Sequence, residues 1–279
     1  MSLPAEALMQ LTRPSRRVAY ASRDTMHYAL AVGMGGNELN FVYEANLIAL
    51  PSIATMLSFD DSWLDGAGID LGKVVHGSQH LKFLGAIPSA GAVSVNFSIA
   101  GVIDKGLGRG TLIIQETRLN NEETGEPLAV GRSTLFVRGE GGGGSMGVSP
   151  HTHSLPIRVP DRVILQPTTQ NQALYFRLLG DFNPLHAYPE AARKAGFDQP
   201  ILHGSCTYGM ACATILRTYG GLDPARLLEL EARFVGAIVP GETLVFLLWL
   251  DGDIVSFRAI VAERGITVLD NGRALILPA

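Results

Sequence analysis

Two short stretches of this sequence are nearly the same, and they lie in opposite halves of the chain. Residues 83–87 read Phe-Leu-Gly-Ala-Ile, and residues 234–238 read Phe-Val-Gly-Ala-Ile. Each is followed by a turn of proline and glycine and then by an apolar run. The tripeptide His-Gly-Ser also occurs twice, at residues 76–78 and 203–205. Motifs repeated in the same order indicate a duplicated module of about 130–150 residues.

A glycine-rich stretch at residues 139–145, Gly-Glu-Gly-Gly-Gly-Gly-Ser, lies between the two copies. This composition is typical of a flexible linker. No Gly-Lys-Ser/Thr follows it, which argues against a phosphate-binding loop. We therefore divide the chain into an N-terminal unit (1–138), a linker (139–150) and a C-terminal unit (151–279).

The pattern of apolar residues predicts one helix and a set of strands in the second half. Residues 204–219 are apolar on most faces, as in a buried helix. Apolar runs separated by turn dipeptides then predict an antiparallel meander of four strands, near 228–235, 243–250, 253–263 and 266–277. Similar runs in the first half predict strands near 79–84, 92–104, 109–119 and 128–138.

A long antiparallel sheet wrapped around one buried helix is the hotdog arrangement, so the duplicated pattern predicts an α+β double hotdog. The halves differ in one respect. The few residues between His76 and Phe83 cannot contain a helix of four turns. The first half must instead use its apolar segment 44–58, which Pro51 interrupts. We expect this helix to be shortened, leaving volume for a ligand beside the sheet.

The composition excludes several classes of function. Lysine and arginine number 22 against 26 aspartates and glutamates, which gives a net charge of −4. This balance argues against nucleic acid and against an anionic membrane surface as partners. The densest apolar run, residues 244–250, is far shorter than the ~20 residues of a membrane helix. Two cysteines and the lack of a recognisable targeting signal lead us to expect a cytoplasmic protein.

Residues 180–186, Gly-Asp-Phe-Asn-Pro-Leu-His, carry most of the information about chemistry. Asn-Pro favours a turn, which can aim Asp181, Asn183 and His186 at one point. A carboxylate, an amide and an imidazole placed together can hold and deprotonate a water. Gly204 begins the predicted buried helix, where a free N–H could stabilise an oxyanion. The residues alone leave a second interpretation open, in which Asp181 only caps a short helix at 189–195.

Residues 180–186, followed by Ala-Gly-Phe-Asp-Gln-Pro-Ile-Leu-His-Gly at 195–204, resemble the signature of the R-specific, type 2 enoyl-CoA hydratases. This MaoC-like group includes the hydratase domain of peroxisomal multifunctional enzyme. The likeness continues in order over essentially residues 20–277, for example in Phe-Val-Tyr-Glu at 41–44 and Asp-Lys-Gly at 104–106. Such a long ordered set of matches is specific.

The resemblance implies a role for individual residues. Asp181 and His186 match the catalytic acid/base pair, Asn183 matches the residue that helps to place the water, and the Gly204 N–H matches the group that binds the thioester carbonyl. Contacts with the CoA substrate are implied for His76, Gly77, Lys105 and Phe234. From residue type alone, an alternative for Lys105 is a solvated turn lysine, and Phe234 could equally be a core residue.

The resemblance also implies the reaction. It is a hydro-lyase reaction that converts trans-2-enoyl-CoA to (3R)-3-hydroxyacyl-CoA, and the reverse, without a metal or redox cofactor, in a homodimer. The acyl chain and the identity of the base stay open. Two alternatives are a hotdog acyl-CoA thioesterase and a non-catalytic acyl-CoA-binding protein. His151 and His153 could suggest a metal site, but no further ligand lies at suitable spacing, and we expect an exposed loop.

Overall fold

The computed structural model describes residues 4–150 and 152–277. Within these ranges the first half forms six strands: β1 (Arg16–Tyr20), β2 (Val74–Phe83), β3 (Gly91–Asp104), β4 (Thr111–Asn121), β5 (Pro127–Val137) and β6 (Met146–Gly147). The second half forms five: β7 (Arg162–Pro167), β8 (Leu227–Phe234), β9 (Thr243–Asp251), β10 (Ile254–Val261) and β11 (Thr267–Ile276).

All of these strands belong to one antiparallel sheet, in the order β1-β3-β4-β5-β2-β8-β11-β10-β9-β7, with β6 paired to β3. Each half keeps its own strands together. The halves meet where β2 pairs with β8, from Ser78 opposite Arg233 to Lys82 opposite Glu229. This seam makes the two modules one continuous sheet, so that groups from both can reach a site beside it.

The α-helices are short, with two exceptions. In the described ranges they are α1 (Ala5–Met9), α2 (Ser22–Ala31), α3 (Leu39–Val42), α4 (Ala54–Leu57), α5 (Ser62–Gly66), α6 (Gln172–Phe176), α7 (Pro189–Lys194) and α8 (Gly204–Ile215). None of the helices in the described residues is long and apolar enough to cross a membrane.

Helix α8 is the central helix of the second half. Its residues 206–215 are all buried, and it packs on β8, on β11 and on a 3₁₀ turn at Pro51–Ile53 of the first half. The predicted helix is therefore confirmed through Ile215. The chain then widens into a π-helical turn, Leu216–Gly220, and stops at Gly221 with φ of +60°. Glycine adopts this left-handed conformation without steric cost.

Among the described residues of the first half, the one longer helix, α2, is only partly buried, so no helix there matches α8. The apolar segment of this half forms the Pro51–Ile53 turn followed directly by α4, and residues 51–57 are all buried. A second apolar cluster joins residues of α1 and α5 to residues of β3, β4 and β5 in this half of the sheet. The expected shortened helix is thus present, and its place against α8 puts the two modules in one core.

The eight predicted strands agree with observed ones to within five residues at either end, but β1, β6 and β7 were not predicted. Strands β1 and β7 lie at the two edges of the sheet. β7 is mostly exposed, and Val163 and Leu165 face solvent. Both edge strands are short, and their sequences, Arg-Arg-Val-Ala-Tyr and Arg-Val-Ile-Leu-Gln-Pro, lack the alternation of apolar and polar residues by which half-buried strands are predicted.

The glycine-rich stretch is folded against the first half. The N–H groups of Gly142 and Gly144 donate to the carboxylate of Asp104, at 2.9–3.2 Å. The backbone N–H of Asp104 in turn donates to Ser145 Oγ at 2.9 Å, and β6 pairs with β3 just beyond. The domain boundaries proposed from sequence stay a prediction, but these bonds anchor the stretch that was expected to be a flexible linker.

Candidate active site

The loop that carries Asp181 is shaped by local backbone bonds. Gly180 has φ of +118°, which ends the 3₁₀ turn before it and suits glycine alone. The Asn183 N–H donates to Asp181 Oδ1 at 3.2 Å, and Asn183 Oδ1 accepts from the Leu185 N–H at 3.0 Å. The second bond caps the 3₁₀ turn Pro184–His186. These bonds shape the short segment 181–186, which has Asp181 at one end and His186 at the other.

His186 is 9% exposed, and its Nδ1 lies 2.8 Å from the carbonyl oxygen of Ile201. A carbonyl only accepts hydrogen bonds, so we assign the hydrogen of the neutral ring to Nδ1. The lone pair is then on Nε2. A main-chain carbonyl therefore fixes the tautomer that leaves Nε2 ready to accept a proton.

His203, the residue before α8, completes a cluster with this pair. Its ring stacks on His186, with 3.7 Å between ring centroids and 25° between planes. Its Nε2 lies 3.3 Å from the Asp181 carbonyl oxygen, to which it donates. One nitrogen or carboxylate oxygen from each of the three residues lies within 4.8 Å of the others. The structure thus brings together the predicted acid/base pair.

Burial dominates the electrostatics of the cluster. It raises the pKa of Asp181, against the attraction of His186, and it lowers the pKa of His186, against its bond to Ile201 and the attraction of Asp181. Burial also lowers the pKa of His203 to about 3, so this ring stays neutral. The pKa values of the pair are drawn toward each other. These shifts reduce the free-energy cost of moving a proton between Asp181 and His186.

Gly204 is the first residue of α8, where a backbone N–H has no partner within the helix. A Cβ on Gly204 would lie 3.2 Å from the nearest ring carbon of Phe234. Phe234 in turn packs against His76 of the first half, with ring centroids 4.6 Å apart. The structure therefore brings Gly204, Phe234 and His76 together in one contact chain across the seam.

His76 carries an unusual polar atom. Its Nε2 is buried and has no hydrogen-bond partner among the described residues. Burial lowers the pKa of His76 to about 4. Gly77 follows at an irregularity in the pairing of β2 with β5, and a Cβ there would lie 3.3 Å from the Thr134 carbonyl. A neutral, unsatisfied nitrogen beside Phe234 is suited to a polar group of a ligand.

Lys105 lies apart from this cluster, in the exposed hairpin turn between β3 and β4. Its backbone N–H donates to the Gly110 carbonyl at 3.0 Å. The strand registers place this hairpin at the same end of the sheet as the start of β2, where His76 lies. No described contact joins the Lys105 side chain to the other predicted site residues.

Two family profiles match the chain in tandem. One, described as the MFE-2 hydratase 2 N-terminal domain, matches residues 18–139, and one described as a MaoC like domain matches residues 152–271. The peroxisomal enoyl-CoA hydratase 2 of Arabidopsis thaliana is 35% identical to this chain over 95% of it and 93% of the relative. The chain belongs to the MaoC-like hydratase family.

Solved structures confirm the fold of this MaoC-like chain. A MaoC-like dehydratase from Phytophthora capsici superposes with a TM-score of 0.90 at 28% identity, over 98% of both chains. A Mycobacterium tuberculosis protein described as a double hotdog superposes with a TM-score of 0.65 at 15% identity, over 98% of both chains. The predicted α+β double hotdog is therefore correct.

Asp181, His186 and His203 each offer one ligand atom within 4.8 Å of the others, a spacing that also suits a metal ion. The absence of a metal from the reaction therefore stays a prediction. Of the other histidine pair, His153 donates to or accepts from Ser256 Oγ at 2.8 Å. His151 lies outside the described residues.

Sequence reasoning predicted the part played by Gly204 but missed those of Ile201 and His203. The Ile201 carbonyl fixes the His186 tautomer, the His203 ring packs on His186, and Gly204 presents its N–H. Their position at the end of the second stretch of the MaoC-like signature, residues 195–204, was the available signal. The contacts could not be predicted, because they depend on how α8 begins against the loop.

Proposed function

We propose that this protein hydrates trans-2-enoyl-CoA to (3R)-3-hydroxyacyl-CoA and catalyses the reverse dehydration. One observation carries the proposal: Asp181 and His186 converge beside the N-terminus of the buried helix α8, where Gly204 lies. The Arabidopsis relative, which is named an enoyl-CoA hydratase 2, supports this function. The acid/base pair supplies the groups for water addition, and the helix N-terminus supplies a site for negative charge.

Water addition at C3 moves electron density onto the thioester oxygen, which becomes an enolate oxygen. The Gly204 N–H, at the positive end of α8, stabilises this oxygen more strongly as its charge grows. A single donor of this kind contributes roughly 2.7–4 kcal/mol to transition-state stabilisation. The Phe234 ring, which lies against Gly204, forms one wall of this site.

Asp181 and His186 share the attacking water. One group removes a proton from the water, and a proton is delivered to C2 from the pair, so that the enzyme returns to its starting state. His186 Nε2 carries the lone pair for this exchange, because Nδ1 is bonded to Ile201. Asn183 helps to place the water. The pair contributes roughly 10²–10⁴-fold to the rate.

The first half holds the CoA part of the substrate. His76 Nε2 has an unused hydrogen-bonding capacity next to Phe234, and Gly77 keeps the backbone there uncrowded. Lys105, on the exposed hairpin at the same end of the sheet, provides a positive charge for the CoA phosphates. We propose no metal or redox cofactor. Assembly as a homodimer and a cytoplasmic location stay predictions.

The proposal is tested by mixing the protein with short, medium and long trans-2-enoyl-CoA and following the loss of conjugated-thioester absorbance. Hydration at one or more chain lengths is expected, with the thioester intact. Release of free CoA thiol without hydration would instead identify a thioesterase. Saturable binding of enoyl-CoA without any turnover would identify an acyl-CoA-binding protein, and either result would overturn the proposal.

A further inference from the structure

His203 makes two contacts with the acid/base pair, one to each member. Its ring stacks on the His186 ring at 3.7 Å, and its Nε2–H donates to the main-chain carbonyl of Asp181 at 3.3 Å. Phe176 also packs against it, with ring centroids 5.0 Å apart. His203 is fixed in turn as the residue that starts α8. It therefore links the loop of the pair to the central helix of the second half.

Stability does not explain why a histidine occupies this position. His203 is 1% exposed, and its Nδ1 is buried without a hydrogen-bond partner among the described residues. A buried nitrogen without a partner is unfavourable for folding. An apolar side chain of similar size would fill the space without that penalty. The contacts with Asp181 and His186 explain the histidine at this position, whereas packing alone does not.

We infer that His203 is a positioning residue for the acid/base pair: its ring fixes the plane of His186, and its Nε2–H fixes the backbone at Asp181. This inference rests on the proposed function, because it assigns no separate reaction. His203 itself exchanges no proton with the substrate. A shift of about 1 Å in a catalytic group can reduce the rate about 10²-fold. Two contacts that remove such freedom therefore act on turnover more than on binding.

The protonation state of His203 agrees with this role. Its pKa is lowered to about 3 by burial, and the charge of His186 acts in the same direction. A neutral ring stacked on His186 excludes water from it without repelling the imidazolium that forms during turnover. The other charges that bear on the cluster are Asp181, Arg177 and Asp61. All three are unchanged in the His203 variants below.

Two substitutions separate the two contacts. In His203→Gln, the amide nitrogen can occupy the position of Nε2 and donate to Asp181, but the stacked ring is lost. In His203→Phe, the ring stays and the donor is lost. His80→Gln, on half-buried His80 in β2, is the matched control. Steady-state hydration of an enoyl-CoA is measured from pH 5 to pH 9, with thermal unfolding to check that each variant folds.

We expect kcat to fall about 10²-fold in His203→Phe, with KM changed less than about 3-fold and the acidic limb of the pH profile unchanged. In His203→Gln we expect a kcat loss of about 10-fold. Its acidic limb should move to higher pH, because water reaches His186 and its pKa rises. If only one of the two His203 variants folds, its kcat and the position of its acidic limb are enough to test the inference.

The inference is wrong if the folded variants keep wild-type kcat and the wild-type acidic limb. It is also wrong if activity falls only in proportion to the fraction of folded protein. Asp181→Asn distinguishes this failure from failure of the proposed function. If Asp181→Asn were fully active, the assignment of the acid/base pair, and with it the proposed function, would be wrong. If Asp181→Asn were inactive while the His203 variants stayed active, only the positioning role of His203 would be wrong.

Discussion

The ring of Phe234 lies directly against Gly204, so that a Cβ added to Gly204 would be 3.2 Å from the ring. The two residues come from β8 and from the start of α8, and both belong to the second half. His76 of the first half also packs against the Phe234 ring. The space around the free N–H of Gly204 is therefore defined by both halves.

Gly204→Ala should reduce kcat about 10-fold, because the added methyl group must displace the Phe234 ring by a few tenths of an ångström beside the proposed oxyanion site. Gly66→Ala is the control, since a Cβ at Gly66 meets nothing within 4 Å. Steady-state hydration of both variants checks the prediction. Equal activity of Gly204→Ala and wild type would show that this contact does not shape the site.

Lys105→Ala should raise KM for an enoyl-CoA about 3–10-fold at low salt, and less at high salt, because the charge pair is exposed and screened. An enoyl thioester of pantetheine, which lacks the nucleotide phosphates, should show no change in KM. The control is Lys194→Ala, on the exposed end of α7. An equal rise in KM for both thioesters would contradict a phosphate contact.

His76 should make the folded protein less stable in mild acid. Its pKa is about 4 when folded, against 6.5 for an ordinary histidine. Between these values the unfolded chain binds a proton that the folded chain does not, so the free energy of unfolding falls as pH drops. The slope is about 1.4 kcal/mol per pH unit. Stability then levels off below the folded pKa.

Urea unfolding of His76→Gln between pH 7 and pH 5 measures this effect. The His76→Gln variant should lose the contribution of His76 to the pH dependence of the unfolding free energy. His27→Gln should keep it, because His27 lies on α2 away from His76. His203, whose pKa is lowered to about 3, contributes a slope of the same sign in both variants. An unchanged slope in His76→Gln would show that His76 is not buried in this way.

Asp104 should be required to hold the glycine-rich stretch. The N–H groups of Gly142 and Gly106 bond to its carboxylate and lower its pKa. Asp104→Ala should therefore increase the rate of limited proteolysis within 139–147, while Asp253→Ala, in an exposed turn, should not. Cleavage at the same rate in Asp104→Ala and wild type would show that the carboxylate is not the anchor.

The sequence predicts the inner strands and α8 well, because alternation, turn dipeptides and an all-apolar helix are local signals. The edge strands β1 and β7 lack such signals. The glycine-rich stretch was expected to be a flexible linker, since nothing near it in sequence indicates that Asp104, a residue of β3, binds its N–H groups. Here tertiary bonds override local composition.

The candidate site could be predicted only in part. The motif 180–186 identifies Asp181 and His186, since the residue types carry the chemistry. The stack of His203 on His186 and the bond from His186 to Ile201 depend on how two segments meet in space. No spacing rule predicts either. The sequence therefore identifies the acid/base pair, and the structure identifies the groups that orient it.

Chiral analysis of the product formed from trans-2-enoyl-CoA, by the wild-type protein and by Asp181→Asn, tests the central claim most directly. The account predicts (3R)-3-hydroxyacyl-CoA from the wild type. It predicts a rate about 10²–10⁴-fold lower for Asp181→Asn with KM little changed, and full activity for the control Asp253→Asn. A (3S) product, no hydration by the wild type, or undiminished activity in Asp181→Asn would contradict it.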